Sequence, residues 1–487
     1  MKTQVRTALA VLAALAMGRA RAAAPTVAMN SHVPTPAESS MIAQTGASAI
    51  RMDFNWMSFQ PARGTFSWTE LDQSVGAARA NGLKIFPSVG YTPRWASSLP
   101  NCDDNATDSH QRCLNKTPAN VADWTNAVTA VVNRYKGQVL CWGIWNEPNL
   151  KGFFDGTEDD FVTKIFLPAA AAIRAADPTA KICGPELAGV GLSSDWNGHN
   201  GTCLFGQCIR NGWEIDLAHM LDRLGPQIDI ITQHAYEADA AATMTKLLDG
   251  EVTAGILVHD SVRHVIDTHG GAGKEFWLTE TGWAISPGRY SEADVATRIV
   301  DLYTKQEEVC AGTYAASTND PWNVWTRTFY FHLQADPMGD YGLLKPNGMP
   351  RQAYTALKTW ATARTTTTCG TAATRPDAGT PGADAGIRDA GTGRPDAGGQ
   401  SDAGAVGSDA GRPIEPVDAG QPDDAGAPAT DAGPGAGGPG GAGGSGGGAD
   451  VPMDAAQGGC GCGTSPTSPL IWLALVGLAA LALRRTA

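Results

Sequence analysis

Basic residues are scarce in this chain. Its 487 residues hold 36 Lys and Arg against 49 Asp and Glu, a formal net charge of −13. No basic stripe is present, which excludes a nucleic-acid face. No glycine-rich phosphate loop follows a predicted strand, which argues against a nucleotide-binding open sheet. Apolar runs are short. The one near the start, Thr7 to Met17, is too short to span a bilayer. It follows Lys2 and Arg6 and precedes Ala20-Arg21-Ala22, a small-x-small cleavage pattern. Residues 1–22 are therefore expected to be a secretory signal rather than an anchor.

The acidity is also unevenly placed. Residues 371–459 carry 12 Asp and 1 Glu against 4 Arg, a net of −9, so the rest of the chain carries −4. Within that stretch Asp-Ala-Gly occurs nine times between Asp377 and Gly433, and a glycine-rich run follows. Such a composition cannot bury a core, and residues 369–456 are expected to be a disordered linker. Irregular aspartate spacing gives no oxygen cage for a cation. Residues 457–487 contain Cys460-Gly461-Cys462, an apolar run from Leu470 to Leu483, and Arg484-Arg485. A short C-terminal apolar helix, barely long enough to span, is expected there, with the arginines on the cytoplasmic side.

Residues 23–368 remain for one catalytic domain. In them, short apolar runs alternate with helical periodicity. Strands are expected at Thr26–Met29, Ala49–Phe54, Leu83–Val89, Val139–Ile144, Lys181–Gly184, Ile228–Thr232, from Glu275, and at Arg327–Phe331. Helices are expected at Leu71–Ala80, Asn120–Tyr135, Phe161–Ala176, Ala218–Leu224, Val258–Thr268 and Val295–Gln306. Eight strands alternating with helices predict an α/β fold, a (β/α)8 TIM barrel.

Cysteine use agrees with export. Cys102 with Cys113, and Cys203 with Cys208, flank polar loops and are candidate disulfides. Cys310 and Cys369 are a third candidate pair. Cys141 and Cys183 lie inside apolar runs and are expected to be buried free thiols.

Two of the apolar runs end in glutamate. Val139 to Ile144 leads into Trp145-Asn146-Glu147-Pro148-Asn149, and Phe276-Trp277-Leu278-Thr279 into Glu280. A carboxylate at such a place is costly unless chemistry uses it. Barrel chemistry sits at the C-terminal ends of strands. Two glutamates there form the pair that cleaves glycosidic bonds, and two carboxyl groups suffice without metal or cofactor. Arg51, on the second strand, is a candidate for holding Glu280 ionised, or for a structural pair with Asp53 or another barrel carboxylate. His234 and Tyr236, two apart after the sixth strand, share a face. Trp56, Tyr91, Trp95, Trp142, Trp145 and Trp283 fall on or just after strand ends and are candidate sugar platforms. Trp142 is expected in the core, and Trp283 is favoured as a sugar contact. Glu186 and Glu237 are candidate cleft residues without a catalytic assignment.

These motifs, in this order on strands four and seven, resemble the glycoside hydrolases of clan A. The resemblance covers most of residues 25–360. Trp145 to Leu150 with Phe153-Phe154, Gly90-Tyr91-Thr92-Pro93, and Tyr341-Gly342-Leu343-Leu344 are similar to family 39. His234-Ala235-Tyr236 and Glu280-Thr281-Gly282-Trp283 are closer to family 5. Gln60-Pro61 departs from a clan pattern that often has glutamate before the proline. The resemblance implies a retaining mechanism, with Glu147 as acid/base and Glu280 as nucleophile. It implies that Asn146 binds the sugar 2-hydroxyl and that Tyr236 steadies the nucleophile. The expected partner is a β-linked polysaccharide or oligosaccharide, bound by a monomer. The last 30 or so residues resemble the C-terminal sorting tails of myxobacterial surface proteins. That resemblance implies export and tethering at the outer surface.

Overall fold

A computed structural model describes residues 26–364, apart from short stretches at 190–193, 197–198, 200–201, 205–206, 210–211, 254–255, 315–321 and 335–338. The expected signal, linker and C-terminal segment lie outside the described residues. Among the described residues, no helix is long and apolar enough to cross a membrane.

Among the described residues, eight barrel strands alternate with eight main helices. In chain order they are β1 Thr26–Asn30, α1 Pro36–Gln44, β2 Ala49–Asn55, α2 Thr69–Ala80, β3 Lys84–Gly90, α3 Val121–Tyr135, β4 Trp142–Ile144 and α4 Leu167–Ala176. Then come β5 Ile182–Leu187, α5 Gly212–Leu224, β6 Ile230–His234, α6 Val262–Thr268, β7 Glu275–Thr281, α7 Glu292–Ala311, β8 Trp325–Tyr330 and α8 Gln352–Thr362. The strands form one closed barrel in sequence order. Parallel pairing of β1 with β8, from Thr26↔Arg327 to Met29↔Tyr330, closes it. The expected (β/α)8 architecture is thus the observed one.

Strands covered on both faces read as continuous apolar runs because neither side meets water. β5 and β6 are buried along their whole length. The helices are amphipathic instead. α3 buries Trp124, Ala127, Val128, Val131 and Val132, spaced three and four apart. Asn120 caps its start by accepting from Ala122 N–H at 3.0 Å. Trp124 Nε1 reaches the Ile165 carbonyl at 3.0 Å, joining α3 to the stretch before α4. Val131→Asp would place an unpaired carboxylate at a fully buried position and break this face.

Inside the barrel, Ala28, Ala49, Phe86, Cys141, Cys183, Ile230, Trp277 and Phe329 form a separate apolar cluster. They come from all eight strands or the residue leading in. Cys141 and Cys183 are bonded to each other, which corrects the expectation of free thiols. β4 and β5 are neighbours in register, with Trp142↔Ile182 and Gly143↔Cys183. That brings the two cysteines' Cα atoms to 5.7 Å, within bonding range. Cys102 and Cys113 are bonded as expected. Cys203 and Cys208 are register partners in a small hairpin. Cys310 is disulfide-bonded, and its expected partner Cys369 lies outside the described residues.

The expected helix Val258–Thr268 starts later, at Val262, because Ile256–His259 pairs instead as a hairpin strand with Glu251–Thr253. The expected fourth strand from Val139 is shorter as well. Val139 makes one bridge to Ile85, and regular pairing starts at Trp142.

Candidate active site

The apolar plug is the floor of a polar cluster. Arg51 lies on β2 with its guanidinium carbon 5.9 Å from the Phe86 ring centroid. It is 5 % exposed, so each of its donors needs a protein partner. Nη1 donates to Glu280 Oε1 at 2.8 Å and to Asn30 Oδ1 at 3.2 Å. Nη2 donates to Asn146 Oδ1 at 2.6 Å, and Nε to Glu186 Oε2 at 2.9 Å. Arg51 therefore serves Glu280 and a second barrel carboxylate, while Asp53 pairs with His32 at 2.8 Å.

Backbone register sets the rest. Glu280 at the end of β7 is the cross-strand partner of His234 at the end of β6. Glu147 N–H donates to the Glu186 carbonyl at 2.8 Å, which ties the ends of β4 and β5. Trp145, Glu147 and Glu186 all have positive φ, at 71°, 43° and 56°. Each such non-glycine conformation costs about 1–3 kcal/mol, and such strain collects at functional sites.

Glu147 is 1 % exposed. Its Oε1 meets His234 Nδ1 at 2.8 Å. Its Oε2 is buried with no hydrogen-bond partner among the described residues. Burial raises the Glu147 pKa above its ordinary 4.5, opposed by His234 and reinforced by Glu280. Glu280 has different surroundings. Arg51 holds Oε1, and the Tyr236 hydroxyl donates to Oε2 at 2.7 Å. Glu147, His234 and Glu280 each offer an atom within 4.8 Å of the others.

His234 is fully buried. Burial alone would lower its pKa, but Glu280, Glu147 and Glu186 outweigh that and raise it to about 10. Its Nε2 is 3.7 Å from Glu186 Oε2. Glu186 accepts from Thr279 Oγ1 at 3.0 Å as well as from Arg51. Burial would raise Glu186, but Arg51 and His234 lower it to about 2. The cluster thus holds two cations, Arg51 and His234, among three carboxyl groups. One carboxyl can keep its proton without leaving net charge, and Glu147 is the one whose pKa rises. Three ligand-type groups could surround a metal ion here, but the charge is already balanced by Arg51 and His234.

Of the expected site residues, Glu147, Glu280, Asn146, Arg51, His234 and Tyr236 converge. The aromatics divide. Trp56, Trp142, Trp145 and Trp283 are at most 2 % exposed and belong to the core. Trp283 donates to the Glu237 carbonyl at 2.8 Å. Large rings gain more by packing between strand and helix layers than by facing water. Tyr91 and Trp95 are partly exposed. Trp95 is anchored by Nε1 to the Gln60 carbonyl at 2.9 Å. Tyr341, quoted in the sequence only within a family 39-like motif and not as a site residue, packs edge-on to Tyr236 with centroids 5.6 Å apart. Asn30 and Thr279 were also missed, although both lie at or near strand ends, the signal that flagged the glutamates. Glu237 is half-buried, and burial raises its pKa to about 7.

A closed barrel with a carboxyl pair at the ends of β4 and β7 is the arrangement of a glycoside hydrolase. The model of glycosyl hydrolases family 39 matches residues 53–365, and the chain belongs to that family. A β-xylosidase from Caldicellulosiruptor saccharolyticus is 23% identical over 317 residues, 60% of this chain and 56% of the relative. An endo-1,4-β-xylanase from Gibberella zeae is 33% identical over 133 residues, 26% of this chain and 34% of the relative. The chain thus spans about half, or less, of the length of these relatives. A family 39 β-xylosidase structure from Caulobacter crescentus aligns with a TM-score of 0.48 at 20% identity, covering 70% of this chain and 72% of that one.

Proposed function

We propose that this chain is a retaining β-glycosidase acting on β-xylosidic bonds by double displacement. One observation carries the reading: Glu147 and Glu280 present oxygens within 4.8 Å of each other in opposite surroundings. Retaining pairs sit about 5–5.5 Å apart, whereas inverting pairs leave about 6.5–9.5 Å for a water.

Glu280 attacks the anomeric carbon. Arg51 fixes Oε1, and Oε2 keeps a lone pair beside its bond from Tyr236. Glu147 donates its proton to the departing oxygen as the C–O bond breaks. Its unpartnered Oε2 is the atom suited to that transfer. In the second step, Glu147 takes a proton from water. The water oxygen bonds to the anomeric carbon, and Glu280 leaves as carboxylate. Asn146, held at 2.6 Å by Arg51, is suited to bind the sugar 2-hydroxyl. Tyr91 and Trp95 are partly exposed aromatic surfaces suited to sugar stacking.

The substrate class follows from the relatives' names, a β-xylosidase and an endo-1,4-β-xylanase. Export to the cell surface with a tethering tail is part of the proposal. The disulfides at Cys102–Cys113 and Cys141–Cys183 support an oxidising compartment.

The test is hydrolysis of aryl β-xylosides and xylan by the purified chain, with the first product anomer read by NMR and product size by mass spectrometry. The β anomer should appear first, and Glu280→Gln should abolish turnover. Xylose alone marks an exo enzyme, and oligosaccharides an endo enzyme. An α anomer first, or full activity in Glu280→Gln, overturns the mechanism. Glycan binding without turnover would instead mark a surface adhesin.

A further inference from the structure

A second constellation lies outside the carboxyl pair. Glu158 opens a short helix after β4, His199 lies between β5 and α5, and His219 is on α5. Glu158 Oε2 is 2.9 Å from His199 Nε2 and 3.2 Å from His219 Nδ1. One atom of each residue lies within 4.8 Å of the other two. A tetrahedral zinc with ligands at about 2.0–2.1 Å has ligand-to-ligand edges of about 3.3 Å. Both measured edges are near that value.

The surroundings are those of a built site. Asp216 is fully buried and takes His199 Nδ1 at 2.6 Å. That bond fixes the ring and turns Nε2 toward Glu158, as outer carboxylates do for metal-bound histidines. Arg223 occupies the other oxygen, Glu158 Oε1, at 2.9 Å, which leaves Oε2 to the histidines. The two imidazole rings meet edge-on, not stacked, with centroids 4.7 Å apart. The His219 side chain is 49% exposed, which opens a path for an ion and its water ligand.

We propose that Glu158, His199 and His219 bind one divalent transition metal of the zinc class. The role is structural. Asp216 also accepts from Asn149 Nδ2 at 2.7 Å, and Asn149 follows Glu147 by two residues. A metal here clamps the β5–α5 connection and α5 to the segment that carries Glu147. This proposal does not depend on the proposed glycosidase activity.

The test uses the full chain, stripped with EDTA and dialysed. Zinc is then added and followed by calorimetry, elemental analysis and thermal unfolding. One zinc per chain at this site should bind with micromolar affinity or better and raise Tm by several degrees. His219→Ala, an exposed change that leaves the core intact, should lose that zinc and that rise. Asp216→Asn should weaken affinity about 10–100-fold. No zinc binding by the wild-type chain overturns the proposal. So does binding that persists in His219→Ala, which would place the ion at Glu147, His234 and Glu280 or at cysteines elsewhere in the chain. His199 would then be an imidazolium bridging Asp216 and Glu158 without metal.

Discussion

Glu186→Gln tests the charge balance beneath the carboxyl pair. Glu186 is fully buried and takes two guanidinium contacts from Arg51, at 2.8 and 2.9 Å, and one hydroxyl contact from Thr279 at 3.0 Å. Glutamine keeps the shape and one acceptor oxygen but removes the charge. Hydrogen bonds to charged groups are worth about 1.5–3 kcal/mol each. Two are weakened and one acceptor survives, so the loss at neutral pH should be about 2–4 kcal/mol. That is a sizeable part of a total near 5–15 kcal/mol. The pH dependence gives a sharper signature. The Glu186 pKa lies at about 2, below its ordinary 4.5. A lowered carboxyl contributes stability that is fully present above pH 4.5 and is lost as pH falls toward 2. The gap between wild type and variant should therefore be widest above pH 4.5 and narrow below it. Urea midpoints at pH 7, 5, 4 and 3, under conditions where refolding is complete, measure the gap. A gap that stays constant down to pH 3 would refute the assigned Arg51–Glu186 coupling.

Three further outcomes are expected. Tyr236→Phe removes the hydroxyl 2.7 Å from Glu280 Oε2, and kcat/KM should fall by about 10–150-fold, the equivalent of 1.5–3 kcal/mol, with little change in Tm. Glu147→Gln should slow substrates with poor leaving groups far more than activated aryl glycosides, because the first group needs the proton most; equal losses across a leaving-group series would remove the acid role. Cys141→Ala with Cys183→Ala opens a bond between residues 42 apart in sequence, which the chain-entropy estimate values at about 4 kcal/mol, so the Tm of the double variant should drop by several degrees, and peptide mapping of unreduced wild type should recover the linked pair.

The barrel was legible because strands buried on both faces leave apolar runs that helical periodicity separates. Glu147 and Glu280 were legible for the same reason, each being a charge at the end of such a run. Cys141 and Cys183 have apolar neighbours that read as a thiol environment, and only the adjacency of β4 and β5 shows that they meet. Glu186 was visible as a strand-end carboxylate, but its tie to Arg51, 135 residues away, exists only once the barrel closes. Trp145 and Trp283 follow strand ends, and their indole nitrogens donate to the Phe153 and Glu237 carbonyls, partners that sequence spacing does not reveal. Sequence position gives the height of a side chain in the barrel. Its direction depends on local backbone, such as the positive φ of Trp145. Val258 and His259, at the end of the hairpin strand Ile256–His259, were read as the start of a helix because a short apolar run carries no period that separates the two.

Trapping the covalent intermediate tests the central claim most directly. A β-xyloside with fluorine in place of the 2-hydroxyl and a good leaving group forms the glycosyl adduct faster than it is released. Peptide mass spectrometry of the quenched full chain should find one added fluoroxylosyl group, on Glu280. No adduct despite turnover of the parent xyloside, or an adduct on Glu186 or Glu147, would contradict the assignment of Glu280 as nucleophile.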